Sequence, residues 1–382
     1  MRRIGSYLLL FALVTALLPV NVRAVDLDVG GKSAVLMDIA TGTVLYEKNA
    51  HEALPPASVT KVMTLLLIME AIDSGKIGWD DTVTASEAAA AKGGSQVYLK
   101  VGETMTVSDM VKSIAVSSAN DCACAMAEHI AGSESAFVDL MNSRAKELGM
   151  ENTHFVNCTG LDDGENANQH RTSAQDIALM SRELMKHHPE ITKFTTIWMD
   201  TILDGAFGLS NTNKLIRFYS GATGLKTGFT SGAGYCLSAT AERDGLGLIA
   251  VVMGCETSNI RTAACKSMLD YGFANFALIS PEAETATVPV TLGKSQAVQA
   301  VPGEETQLLI DKARKNSVTT EVSLEEAVTA PVTQGQRLGT LTIRSGEQVL
   351  AEVPLVAETE ILRLTWGDLT VQVLKQVAMA KK

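Results

Sequence analysis

Pro55-Pro56-Ala57-Ser58-Val59-Thr60-Lys61-Val62-Met63 is the stretch whose reading decides the fold. The prolines cannot lie inside a helix, so they mark the edge of one. The apolar run after them ends near Gly75 and predicts a helix starting at Ser58. Val62, Leu65, Leu66, Met69 and Ile72 make one apolar face, and Met63, Leu67 and Ile68 make the rest nearly apolar. A helix apolar all round is a buried one. Lys61 then falls one turn after Ser58 on the same face, at the mouth of a core helix where charge is expensive. A buried lysine can lose its proton and act as base to the adjacent serine, which sits at the positive end of the helix dipole. Ser-x-x-Lys alone is a common pattern, and it reads as readily as an N-cap serine followed by a solvated first-turn charge.

Two later stretches change that balance. They are Ser118-Ala119-Asn120 and Lys226-Thr227-Gly228, the latter followed by Phe229-Thr230. Ser-x-x-Lys, Ser-Asp-Asn and Lys-Thr-Gly together are the joint signature of class A β-lactamases and penicillin-binding proteins. All occur here in that order, with Ala119 in place of the aspartate. Gly94-Ser95, Leu99-Lys100-Val101-Gly102, Asn120-Asp121, Asn152-Thr153-His154-Phe155, Gly160-Leu161-Asp162 and Gly234-Tyr235 extend the match. From about Ala34 to Phe276, and more weakly beyond, the chain resembles the low-molecular-mass penicillin-binding proteins of the serine-type D-alanyl-D-alanine carboxypeptidase family.

Peptide hydrolysis through an acyl-enzyme needs a nucleophile, a base, a proton donor for the leaving amine and an oxyanion site. Ser58 is the expected nucleophile and Lys61 the expected base, kept neutral by burial and by a second cation, Lys226. The resemblance puts Ser118 between Lys61 and the leaving nitrogen as proton relay. It implies that Asn120 holds Lys61 and the substrate amide, and that Lys226 and Thr227 bind the terminal carboxylate. Gly228 would let the backbone approach the substrate closely. The backbone N–H groups of Ser58 and Phe229 would be the oxyanion donors. Arg261 aligns with a family arginine that also binds the carboxylate. The histidines, His154 and His170 among them, read as structural. Neither a metal nor any other cofactor is expected.

The implied substrate is the peptidoglycan stem pentapeptide ending in D-Ala-D-Ala, with β-lactams as covalent inhibitors. Two other readings stay open. A β-lactamase of this fold would need an added carboxylate for deacylation, and Glu165 with Asn168 has the wrong spacing for it. A sensor that acylates and never turns over would differ by releasing no D-alanine.

The chain has 382 residues, a formal net charge of -11, 46% hydrophobic and 20% charged residues. This fits a folded protein of two domains. The acidic balance argues against a nucleic-acid partner, which needs a basic face. Arg2-Arg3, the apolar Ile4 to Val20 and Val22-Arg23-Ala24 read as a secretory signal over 1–24 cleaved after Ala24, with a retained N-terminal anchor as the alternative. The expected location is therefore the outer face of the cytoplasmic membrane. Six cysteines do not space as a disulfide framework. Cys236 and Cys255 flank a hairpin and leave one bridge open, and buried thiols are the default.

Strands are expected at Val35–Asp38 and Val44–Glu47, then helices up to Leu184, then strands at Leu225–Phe229, Tyr235–Ala241 and Leu248–Met253, and a closing helix at Ala263–Phe276. That order gives an α/β (α+β) sandwich with a mostly antiparallel sheet and a helical insert, which the resemblance makes one of the β-lactamase/transpeptidase type, over 25–278. Short alternating runs predict a small all-β domain over 285–358. Over 361–382, Trp366, Leu369, Val373 and Val377 form a stripe opposite Asp368, Gln372, Lys375 and Lys382. A basic amphipathic helix with tryptophan suits peripheral contact with a membrane surface, the alternative being a helix packed on the β domain.

Overall fold

Alternation along the central strands explains how one sheet feeds two cores. The computed structural model describes residues 27, 29–162, 166–281 and 286–371. The expected signal segment over 1–24, Glu165 and the tail positions Gln372, Val373, Lys375, Val377 and Lys382 lie outside them. Strands β1 (Ser33–Asp38), β2 (Val44–Lys48), β3 (Ala222–Thr230), β4 (Gly234–Arg243) and β5 (Leu246–Cys255) form a five-stranded antiparallel sheet in the order β2-β1-β5-β4-β3. Val35, Met37, Ile249, Val251 and Met253 face one core; Ala34, Leu36, Leu248, Ala250 and Val252 face the other. Strands covered on both faces read as unbroken apolar runs, as these do.

The first core lies under the helical block inserted between β2 and β3. Its long helices are α1 (Lys61–Asp73), α2 (Val107–Ser117), α3 (Asn120–Ala131), α4 (Glu134–Glu147) and α5 (Ala174–His187). The second core is closed by α6 (Ser258–Asn275) through Ala264, Cys265, Met268 and Leu269. Helix α6 starts five residues before the expected Ala263, because Thr257 caps it by accepting the N–H of Ile260. Arg261 is thereby in its first turn.

Helix α1 is buried on all sides, at ten of its thirteen residues. It begins at Lys61, not at Ser58. Residues Ala57–Thr60 form a 3₁₀ turn instead. The tighter turn has about three residues per revolution and so eclipses positions three apart, which stacks Lys61 over Ser58. The hairpin Met199–Ile202 with Phe207–Ser210 and the pair Thr82–Thr84 with Thr104–Thr106 carry no strong strand pattern and were not expected.

The C-terminal part is all β. A six-stranded sheet encloses Val288, Val298, Leu338, Leu341, Ile343 and Leu355. It includes Ala297–Pro302 and Val328–Thr329, whose small residues, proline and shortness hid them from the sequence. Phe276–Ile279 pairs with Leu308–Asp311, so a strand ladder follows directly on α6. Ile361 and Arg363 bridge to Val332 and Gly293, which places them on the β domain. The terminal helix starts only at Trp366 and is described to Val371. Thr365 caps it: the Asp368 carboxylate accepts from Thr365 N at 2.9 Å and Oγ1 at 2.7 Å, and Asp368 N donates back to Oγ1. Among the described residues no helix is long and apolar enough to cross a membrane. All six cysteines are buried free thiols, Cys236 and Cys255 included.

Candidate active site

The site lies where the 3₁₀ turn is wedged between the helical block and β3, an edge strand. Lys61 is fully buried, and its Nζ donates to Ser58 Oγ at 3.0 Å and to the Thr159 carbonyl at 2.8 Å. Burial lowers its pKa from 10.5 to about 7, against the opposing pull of Cys158 and Asp121. An ammonium at that depth loses hydration that one carbonyl and one hydroxyl do not replace.

Ser118 follows α2 in the left-handed region at φ +65°, a conformation that costs free energy in a non-glycine residue. Asn120 opens α3 and donates from Nδ2 to the Gly93 carbonyl at 2.7 Å. Ser118 Oγ, Asn120 Oδ1 and Arg261 Nε are three of the five buried side-chain polar atoms without a hydrogen-bond partner among the described residues. Such atoms are rare in folded proteins, and they are free to meet a polar ligand.

On the opposite wall, β3 carries Lys226, Thr227, Gly228 and Phe229. Lys226 is buried, and its Nζ donates to the Thr227 carbonyl at 2.9 Å. Burial first, then the charges of Lys61 and Arg261, push its pKa well below the lysine range. Burial is the first cause of the shift at both lysines. Thr227 donates to Thr212 Oγ1 at 2.7 Å, and Thr212 N donates to the Val116 carbonyl, so Thr212 ties β3 to the end of α2. The Phe229 side chain is exposed and stacks on Tyr235 at 4.3 Å. The Arg261 guanidinium lies 5.6 Å from the Tyr235 ring.

Thr159, Gly160, Gly93 and Thr212 support the site and had no assigned role in the sequence. Thr159 and Gly93 act through carbonyls, which leave no side-chain signature. Gly160 is needed for space: a Cβ there would lie 1.8 Å from the Ala57 oxygen.

A serine turn held between a helical block and the edge of an antiparallel sheet, with a buried lysine hydrogen-bonded to the serine, fits the class that the three motifs define, the penicillin-binding proteins and class A β-lactamases. The comparisons narrow that class. The chain belongs to the D-alanyl-D-alanine carboxypeptidase family, Peptidase S11, whose model matches residues 20–257. The penicillin-binding protein 5 C-terminal domain matches residues 273–363. The D-alanyl-D-alanine carboxypeptidase DacF of Bacillus subtilis is 44% identical, with 96% of this chain and 97% of the relative covered. Penicillin-binding protein 5 of Haemophilus influenzae is similar in structure, at a TM-score of 0.75 and 29% identity over 89% of this chain and all of that one. Penicillin-binding protein D2 of Listeria monocytogenes, solved in an ampicillin-bound form, gives a TM-score of 0.60 and 32% identity over 65% of this chain and 100% of its own.

Proposed function

We propose that the protein removes the terminal D-alanine from peptidoglycan stem pentapeptides through an acyl-enzyme on Ser58. The observation that carries this reading is the 3.0 Å contact between Ser58 Oγ and the Nζ of a fully buried Lys61. With its pKa near 7, a substantial fraction of Lys61 is neutral at physiological pH. Neutral Lys61 takes the Ser58 proton as Oγ attacks the carbonyl carbon of the penultimate D-alanine. The N–H groups of Ser58 and Phe229 receive the oxyanion. Ser118 passes the proton to the leaving amine, and the C–N bond breaks, releasing D-alanine. Water then hydrolyses the ester and restores Ser58. Lys226, Thr227 and Arg261 hold the substrate carboxylate, and Asn120 the substrate amide. A carboxylate beside Lys226 offsets the repulsion from Lys61 and Arg261 and restores its charge, so binding and protonation are coupled. A β-lactam presents the same carboxylate and a strained amide, and its acyl group stays attached.

The basic and apolar N-terminal segment supports export. The far end of the β domain supports peripheral contact with lipid. Leu292, Leu362, Trp366 and Val371 are exposed there beside Arg363, with Lys294 paired to Asp368 at 3.5 Å, and exposed apolar side chains beside a cation suit an anionic interface. Intact mass after penicillin treatment tests the mechanism. The wild type should gain the mass of the drug and Ser58→Ala nothing; a labelled peptide lacking Ser58 contradicts it. Release of D-alanine from a pentapeptide distinguishes turnover from sensing.

A further inference from the structure

His170 is linked by hydrogen bonds to the backbone immediately before Ser58. Ala57 has a φ of +49°, a conformation an alanine keeps only where its surroundings hold it. The Thr60 hydroxyl donates to the Ala57 carbonyl at 2.8 Å, and Thr60 Oγ1 lies 2.7 Å from His170 Nε2. On the other side of the ring, Val156 N–H donates to His170 Nδ1 at 3.0 Å. That bond assigns the tautomer: Nδ1 carries the lone pair, so the proton of the neutral ring is on Nε2 and points at Thr60. The one hydroxyl proton of Thr60 goes to Ala57, and its oxygen accepts from His170. The relay runs in one direction, from ring to hydroxyl to carbonyl. Gly160 closes over the same carbonyl, with no room for a Cβ.

We infer that His170, as its neutral Nε2–H tautomer, is a positioning residue for Ser58, acting through the Thr60 hydroxyl on the strained Ala57 peptide. The inference rests on the reading of Ser58 as nucleophile. Both polar edges of the ring are satisfied, by partners from different parts of the chain, and the Nε2 edge leads to the turn that carries Ser58. The groups facing the ring are Thr60 and Lys61 on the nucleophile side, the Phe155 ring at 5.7 Å, and His154 and Arg171 on the paired segment behind it. Burial first, then the charges of His154, Arg171 and Lys61, hold the ring neutral with a pKa of about 4. A second proton would sit on Nδ1, facing the Val156 N–H, donor against donor.

The test is the rate of penicillin acylation, with melting temperature as a control on folding. Thr60→Val keeps the shape and loses the hydroxyl; acylation should slow by about tenfold or more at an unchanged saturation constant, as expected for a misplaced nucleophile. Thr60→Ser keeps the hydroxyl and should restore most of the rate. If Thr60→Val does not fold, the comparison passes to His170→Gln, which can donate to Thr60, against His170→Leu, which cannot; the glutamine variant should acylate faster. Below pH 5 the wild-type rate should fall more steeply than that of His170→Gln, which has no ring to protonate. Equal loss in Thr60→Val and Thr60→Ser, wild-type rates in Thr60→Val, or equal rates in the two His170 variants overturn the inference while leaving Ser58 as nucleophile. A wild-type label on a residue other than Ser58 overturns the nucleophile reading itself, and this inference with it.

Discussion

Gly228 lies flush against the turn that carries Ser58: a Cβ on Gly228 would stand 3.0 Å from the Ser58 nitrogen and 2.7 Å from the Pro56 oxygen. Both are backbone atoms, so a side chain there forces the strand and the turn apart. Gly228→Ala should fold with the Ser58 turn displaced from β3, and its melting temperature checks this. Its acylation by penicillin should fall by about tenfold to a hundredfold, because small displacements of a reacting group cost rate steeply. Acylation at the wild-type rate would show that the close approach has no role.

Acylation should rise with pH through about 7, where Lys61 loses its proton. Below that point the base is protonated, and the rate should fall about tenfold per pH unit. Lys61→Arg keeps the charge and cannot lose its proton at accessible pH, so acylation should drop by several powers of ten. A flat wild-type profile between pH 5 and pH 8 in the acylation rate constant would contradict the role of Lys61.

Lys61 should also make stability depend on pH. Its folded pKa is lowered, from 10.5 to about 7. Between those values the unfolded chain binds the proton and the folded one does not, so stability rises with pH across that window. Lys61→Met removes this dependence. Urea midpoints at pH 7 and pH 9 should therefore differ less in Lys61→Met than in the wild type.

His170 has the same sign in a lower window. Its folded pKa of about 4 lies below the ordinary 6.5, so protons favour the unfolded chain and stability is lost as pH falls from 6.5 toward 4. The full effect is up to about 3 kcal/mol, because each tenfold loss of proton affinity is worth about 1.4 kcal/mol. Denaturant titrations at pH 7 and pH 5 should show a smaller loss in His170→Gln than in the wild type; equal losses would assign the acid sensitivity elsewhere.

Deletion of residues 366–382 should release the protein from anionic vesicles and leave D-alanine release from a soluble pentapeptide unchanged. Each large apolar side chain fully buried in the interface contributes roughly 1.5 kcal/mol or more, and each basic residue about 1 kcal/mol at low salt. The cut belongs after Thr365, because Ile361 is buried in the β domain and paired with Val332. Co-sedimentation of the full chain and the truncated one decides it. Equal binding would place the attachment elsewhere.

How much of this was legible in advance depended on the range of the interactions involved. The hairpin of β4 and β5 was readable from Asp244-Gly245, whose φ values of +52° and +81° suit the tight turn that joins two strands. The burial of α1 was readable from its unbroken apolar residues, and the pairing of Ser58 with Lys61 from their spacing. These are local patterns, in which side-chain type and periodicity carry the information. The ends of α1 and α6 moved because the 3₁₀ turn and the Thr257 cap are set by backbone geometry that periodicity does not encode.

The sequence by itself determined the Ser58–Lys61 turn, the second serine, the lysine strand and the order in which sheet and helices appear. Tertiary structure alone decided what holds them together. Lys61 meets a carbonyl 98 residues away, and Thr60 a ring 110 residues away. Burial is the first cause of the lowered Lys61 pKa, and it depends on the summed packing of the helical block against the sheet. A carbonyl looks the same in every residue, and burial is a property of the assembled chain. Neither is written in any one stretch of sequence.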